Sequence, residues 1–192
     1  MLDVSTNFMT LSFKYFVLFI LLFLVYPSFG QTDQNSLDSK ISGYSKKMFW
    51  DSLPNPKGWT NDYENIYSAK EESYLDSIIT AFKNEKTIEI AIVTIDTSLI
   101  STDSLEDLTL HIANVWKIGE KGKDNGILIG ISKGHRKMRI EYGFGIESLI
   151  SDDETKEIIE TAFIPRFKEG QYYQGTINGI NKLIDLLRSR LR

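Results

Sequence analysis

The sequence contains no cysteine, so no disulfide can brace the fold and no lipid-modified cysteine can tether it. A cysteine nucleophile is excluded for the same reason. Histidine is nearly absent as well: His111 falls beside the apolar stripe of a predicted helix, and His135 in a turn among Lys133, Arg136 and Lys137. Neither has a triad or metal-ligand partner at a recognisable spacing, so both read as ordinary surface or boundary side chains and a Ser/His hydrolase is disfavoured. No basic stripe exists either. The net charge is −4 with both signs spread along the chain, and nucleic acid is not an expected partner.

Long apolar runs are missing with one exception, the ten apolar residues 16 to 25 behind Lys14. At about 1.5 Å per residue such a run reaches about half of a hydrocarbon core of about 30 Å, whereas it suits the h-region of a signal peptide. Small Ser28 and Gly30 stand where cleavage is expected, which sets a signal peptide over residues 1–30 and a mature start at Gln31. Met9 is an alternative initiator, and an uncleaved N-terminal anchor the alternative fate. The expected product is exported, periplasmic or secreted, with no membrane span after cleavage.

What is present suffices for one domain: 42% of residues are hydrophobic and 12% aromatic, enough for a sizeable core. Residues 31–48, rich in Ser, Asp, Asn, Gln and Lys, are expected to form a flexible linker, with the domain over 49–192. Pro54, Pro56 and Gly58 give an extended lead-in anchored by Trp50 and Trp59.

Ser68 and Glu71 have capping-box spacing ahead of Tyr74, Leu75, Ile78, Ile79 and Phe82, which predicts a first helix. Residues 88–95 are β-branched and read as a strand covered on both faces. Ser104 and Asp107 suggest another box before a helix with Leu105, Leu108, Ile112 and Val115 inward and Gly119 as its stop. Residues 126–131 form a second buried strand, joined to the first by an expected right-handed parallel crossover. Residues 137–142 alternate apolar and charged, an antiparallel strand near a sheet edge after a turn at Lys133-Gly134. Ser151 and Glu154 cap a third helix with Ile158, Ile159, Ala162 and Phe163 inward, kinked or ended by Pro165. A last helix starts near Tyr172, with Tyr173, Ile177, Ile180, Ile184 and Leu187 as its inner face. The sum is a layered α/β domain with a mixed sheet.

Asp96 ends the first buried strand, but Ser98 stands where aspartate-dependent phosphatases need their second acid, so Asp96 reads as a turn cap. Lys123-Asp124-Asn125-Gly126 is an oxygen-rich turn in which Lys121 and Lys123 occupy the acidic positions of an EF-hand, so it is not one. Gly143-Phe144-Gly145 is too short for a nucleotide loop, and its glycines read as positive-φ turn residues. The remaining chemistry is a set of loop carboxylates, Asp62, Asp124, Glu147, Asp152 and Asp153. Acids from separated loops can gather a hard cation at one end of a sheet; alternatively they are solvated acids, and Asp152 and Asp153 sit where a helix dipole favours them.

Gly58-Trp59-Thr60-Asn61-Asp62-Tyr63, then Val115 to Gly119 leading to Lys123-Asp124-Asn125-Gly126, Arg139 to Glu147, Ser151-Asp152 and Ile164 to Tyr172 together resemble the successive motifs of the TPM-domain family, over about residues 50–187. The resemblance implies a single-domain α/β/α sandwich, a small mixed sheet flanked by about four helices. It also implies export, with members periplasmic or membrane-associated in bacteria and lumenal in thylakoids, and calcium binding in some. Members are linked to acid phosphatase activity, to repair of a photosynthetic membrane complex and to assisting a receptor, so the family fixes a fold better than an activity.

Carried over by motif, the expected cation ligands are Asp62, Asp124 and Asn125, with Glu147 and Asp152 as further ligands or supports, for calcium or magnesium. Unlike many relatives, this chain ends in Arg188, Arg190 and Arg192 without a C-terminal membrane helix or glycine-rich tail, and carries Glu141 and Tyr142 at a strand end that is often more apolar. Two functions are expected: a monomeric, calcium-dependent accessory module for an envelope or membrane protein complex, or a metal-dependent phosphatase in which Asp62 or Asp152 positions water.

Overall fold

The computed structural model describes residues 31–191, which divide after Gly43 into two compact units. The expected signal peptide lies outside the described residues. A helix, α1, runs over Gln31–Asp51, where composition alone suggests a linker. The part of it in the first unit, residues 31–43, is polar and mostly exposed wherever its side chains are described. Composition misleads here because Ser, Asp and Lys tolerate an exposed helix even where they supply no core face.

The second unit is built on a four-stranded sheet of order β1-β2-β3-β4: Thr60–Asp62, Glu89–Thr94, Gly126–Ser132 and Lys137–Tyr142. The first three strands are parallel, and β4 returns antiparallel to β3. β1 is absent from the sequence pattern because Thr60, Asn61 and Asp62 have no strand-like apolar signature. It becomes a strand by pairing with Ile92, Val93 and Thr94, and that pairing buries Thr60 and Asn61.

Helix α2, Ala69–Lys86, starts at the expected capping box, with Ser68 and Glu71 satisfying each other's backbone N–H, and buries Leu75, Ile79 and Phe82. Tyr74, expected inward, is 54% exposed. Helix α3, Leu105–Trp116, buries Leu105, Leu108, Thr109 and Ile112. Its expected Ser104 box does not form: Ser104 closes a 3-10 turn at Thr102–Ser104 and makes no capping hydrogen bond. Val115 is exposed too. The helix stops at Lys117, in the left-handed region at φ +55°, two residues before Gly119.

β2 alternates between two cores. Ile90 and Ile92 face a cluster with Leu75, Ile79 and Phe82 of α2 and with the C-terminal helices. Ala91 and Val93 face one with Leu105, Leu108 and Ile112 of α3 and with Phe49. The chain therefore steps in one direction across the sheet while its two crossover helices lie on opposite faces. Those crossovers have opposite hand, so one departs from the right-handed rule.

After β4, a single helical turn α4, Phe144–Glu147, precedes α5, Asp152–Ile158, which opens on the expected Ser151–Glu154 capping box. The regular α-helix ends at Ile158, before Pro165 is reached. A π-helical turn at Ile159–Phe163 leads into α6, Ile164–Lys168, where proline sits at the first positions and needs no amide. Helix α7, Tyr172–Arg190, closes the layer with Ile180, Leu183, Ile184 and Leu187 buried.

Candidate functional site

Strand direction decides which candidate residues meet. Asp62 ends β1 and is in register with Thr94, the last residue of β2, whereas Asp124 and Asn125 precede Gly126, which is in register with Glu89, the first residue of β2. Five residues of β2 at about 3.3 Å each set about 17 Å between those edges. The structure therefore separates Asp62 from Asp124 and Asn125 instead of gathering them.

Asp62 is also committed locally. Its Oδ1 accepts from the Thr94 hydroxyl and, at 3.3 Å, from the Glu64 amide, and its Oδ2 accepts from the Tyr67 amide at 2.8 Å. These bonds lock the chain between β1 and the cap of α2. Asn125 is 8% exposed. Its Oδ1 accepts from the Glu120 amide at 2.8 Å and its Nδ2 donates to the Thr87 carbonyl at 2.7 Å, tying the loop after α3 to the end of α2. Both side chains thus serve as internal ties of the fold.

At the amino edge of the parallel strands, Asp124 and Glu147 are exposed and line a common cavity of about 390 Å³ with Glu141 and Tyr142. Glu147 and Asp152 line an adjoining cavity of about 540 Å³ that shares Leu110, Glu141 and Tyr142. Three of the five expected residues thus surround two neighbouring hollows. Asp152 and Asp153 also occupy the first turn of α5, as a helix N-terminus favours.

The Gly143-Phe144-Gly145 loop makes this geometry possible. A Cβ on Gly143 would lie 2.1 Å from the Asp124 carbonyl oxygen, and one on Gly145 would lie 2.2 Å from that of Lys123. Close backbone approach, not positive φ, requires these glycines. The Gly145 amide then donates to the Asp124 carbonyl at 3.0 Å, while Asp124 itself adopts φ +48°.

Glu141, noted in the sequence as a departure at its strand end but not among the expected ligands, lines both hollows. Its carboxylate lies under α3, 2.8 Å from the Thr109 hydroxyl and 3.1 Å from Arg139 Nε, and Arg139 also pairs with Glu106 at 2.7 Å. The charged alternation of β4 was the available signal. Burial pushes the neighbouring Tyr142 phenol above its ordinary pKa, so at neutral pH it is protonated beside the hollow.

Among the described residues, no three acids or histidines are grouped to hold a metal ion. Calcium takes about 6–8 oxygens, so the expected five-residue centre is not assembled. Asp124 and Glu147 are the two exposed carboxylates that line the same hollow. The histidines lie elsewhere: His111 stacks on Trp50 at 4.5 Å, and His135 Nε2 is 3.1 Å from the Ile100 carbonyl. Asp96 caps its turn through the Ser98 amide at 2.8 Å, and its hydrogen bonds with Ser98 hold its carboxyl below the usual range.

Comparison with known proteins follows the fold. The TPM domain profile matches residues 60–186. A solution structure of the N-terminal domain of a protein from P. gingivalis is 27% identical over 68% of this chain and 82% of its own, with a TM-score of 0.62. The BA42 protein of the psychrophilic bacterium Bizionia argentinensis is 23% identical over 67% of this chain and 86% of its own, with a TM-score of 0.58. The latter likeness is one of fold. No curated protein matches the chain.

Proposed function

The chain belongs to the TPM-domain family, and we propose that it acts as an exported accessory module presenting the amino edge of its sheet to an envelope or membrane protein partner. One observation carries the proposal. The acids at that edge, Asp124, Glu147 and Asp152, are exposed and line adjoining hollows, whereas Asp62 and Asn125 are spent on internal hydrogen bonds.

Calcium or magnesium bound there supplies positive charge that offsets the repulsion between the carboxylates. Asp124 and Glu147 would hold it, and Asp152 adds negative potential without being needed as a ligand. With few protein ligands and much water the binding is weak, and its effect falls on the loops, not on the sheet. The phosphomonoesterase alternative needs an acid beside the cation to position water. Asp62 lies across the sheet from that point, which leaves Asp152 alone for the role.

Titration with calcium, using magnesium as control, tests the module by amide NMR and thermal unfolding. Expected are shifts confined to residues 120–126 and 143–153, none at 60–67, and a rise in Tm of the size given by RT ln(1 + [L]/Kd). No response at millimolar calcium refutes the cation site. Turnover of a phosphomonoester that Asp124→Ala abolishes, with the fold intact, replaces the accessory reading by the catalytic one.

A further inference from the structure

The opposite, carboxyl edge of the parallel strands carries a groove of about 740 Å³ where the β3–β4 turn meets α6 and the start of α7. Lys133, Arg136, Lys137 and Lys168 line it, and no acid does. Such segregation is unexpected in a chain of net charge −4. Its apolar wall includes Phe167 and Tyr172, whose rings stack at 4.7 Å.

The nearby carboxylates are already engaged. Glu64 accepts from the Lys133 and Gly134 amides at 2.7 Å each, and Asp103 lies 3.6 Å from Lys137 Nζ. Lys137 also donates to the Thr102 carbonyl at 2.8 Å. Lys133 sits over the Tyr172 ring at 5.7 Å, while Arg136 and Lys168 pair with no carboxylate among the described residues. Arg136 holds φ +52°, a conformation uncommon for a residue with a side chain.

We propose that this groove binds a small, soluble organic anion: a phosphate or carboxylate head among Arg136, Lys168 and Lys133, with an apolar body against the Phe167–Tyr172 stack. The volume suits a ligand of drug size, and few placed polar groups over an apolar wall are what such sites present. Open α/β sheets also bind ligands beyond the carboxyl ends of their strands. Exposed cations alone hold inorganic phosphate weakly in salt. Each buried methylene strengthens binding about fourfold, so head and body together define the ligand class.

Hexyl phosphate is the probe, titrated into the full chain and followed by amide NMR, with inorganic phosphate and hexanol as controls. Expected are shifts at residues 133–138 and 164–172, and affinity at least tenfold above either control. The exposed double variant Arg136→Glu/Lys168→Glu should lose this binding while its calcium titration stays unchanged, which separates the groove from the amino-edge site. Equal affinity for inorganic phosphate and hexyl phosphate, or full retention by the folded double variant, overturns the proposal. So does co-sedimentation with phosphatidylglycerol vesicles that the double variant abolishes, because the groove would then serve a lipid surface.

Discussion

Asn125 separates two accounts of the same residue, one as a cation ligand and one as an internal tie. Its amide joins the Glu120 N–H to the Thr87 carbonyl, at 2.8 and 2.7 Å. Truncation in Asn125→Ala removes both partners. Leaving a buried polar group unpaired costs about 1–3 kcal/mol; here Thr87 is exposed and water can replace one bond, so the net loss is about 2 kcal/mol. That is a large share of the about 5–15 kcal/mol that stabilises a domain.

Asn125→Asp is the sharper test. The variant keeps the acceptor for Glu120 but sets a carboxylate oxygen against the Thr87 carbonyl, where a donor stood. The new carboxyl is expected to have a raised pKa in the fold. Its penalty is absent when both states are protonated, appears as pH rises past its unfolded value of about 3.9, and is complete above its folded value. Urea unfolding at neutral pH and at pH about 3, with and without millimolar calcium, reads this as a lower midpoint at unchanged m. A ligand role predicts the reverse, because a second charge strengthens calcium binding. If Asn125→Asp unfolds no earlier than the parent and gains more from calcium than the parent does, the internal tie is refuted.

Other substitutions probe the core. In Gly179→Ala the new Cβ would lie 2.0 Å from Phe163 Cε2, in a ring that is fully buried, so overpacking should cost about 1–3 kcal/mol in urea unfolding. Tyr67→Phe should cost about 1 kcal/mol at neutral pH. The Thr176 hydroxyl donates to the Tyr172 carbonyl at 2.9 Å, so Tyr67 is the donor in its 2.8 Å bond to Thr176. Burial pushes the Tyr67 phenol well above its usual pKa. The parent should therefore lose stability above pH about 10, where only the unfolded phenol ionises, and the gap to Tyr67→Phe should narrow there. Thr60→Val should be neutral or stabilising in the same assay, since Thr60 Oγ1 is buried without a partner; a loss above about 1 kcal/mol would reveal a bond to that hydroxyl.

The sequence was most legible where local pattern and final environment agree. β2 and β3 are β-branched and buried on both faces, and the capping boxes at Ser68 and Ser151 form as their spacing predicts. It was least legible where tertiary pairing creates the element. β1 owes its strand geometry to β2, and the glycines at 143 and 145 owe their necessity to carbonyls of a loop some twenty residues earlier. Ser104 shows the converse, a correct spacing whose hydroxyl is displaced because the preceding 3-10 turn leaves it outside extended backbone, at φ −108° and ψ +10°.

Only half of the division of the loop acids was within reach of the sequence: the buried strand that follows Asp124 was legible, but the strand that Asp62 ends was not. A loop that follows one strand and a loop that precedes a parallel neighbour must lie at opposite edges of the sheet. Asp62 belongs to the first kind and Asp124 to the second, so the parallel crossover already forbids one cation between them. Composition counts acids without direction, and motif resemblance transfers residues without asking which hydrogen bonds they already make. Direction separates the two edges, and the hydrogen bonds then select the exposed acids at the amino edge. The same two steps leave, at the carboxyl edge, a groove whose cations from the β3–β4 turn face the Phe167–Tyr172 stack with no acid in its lining.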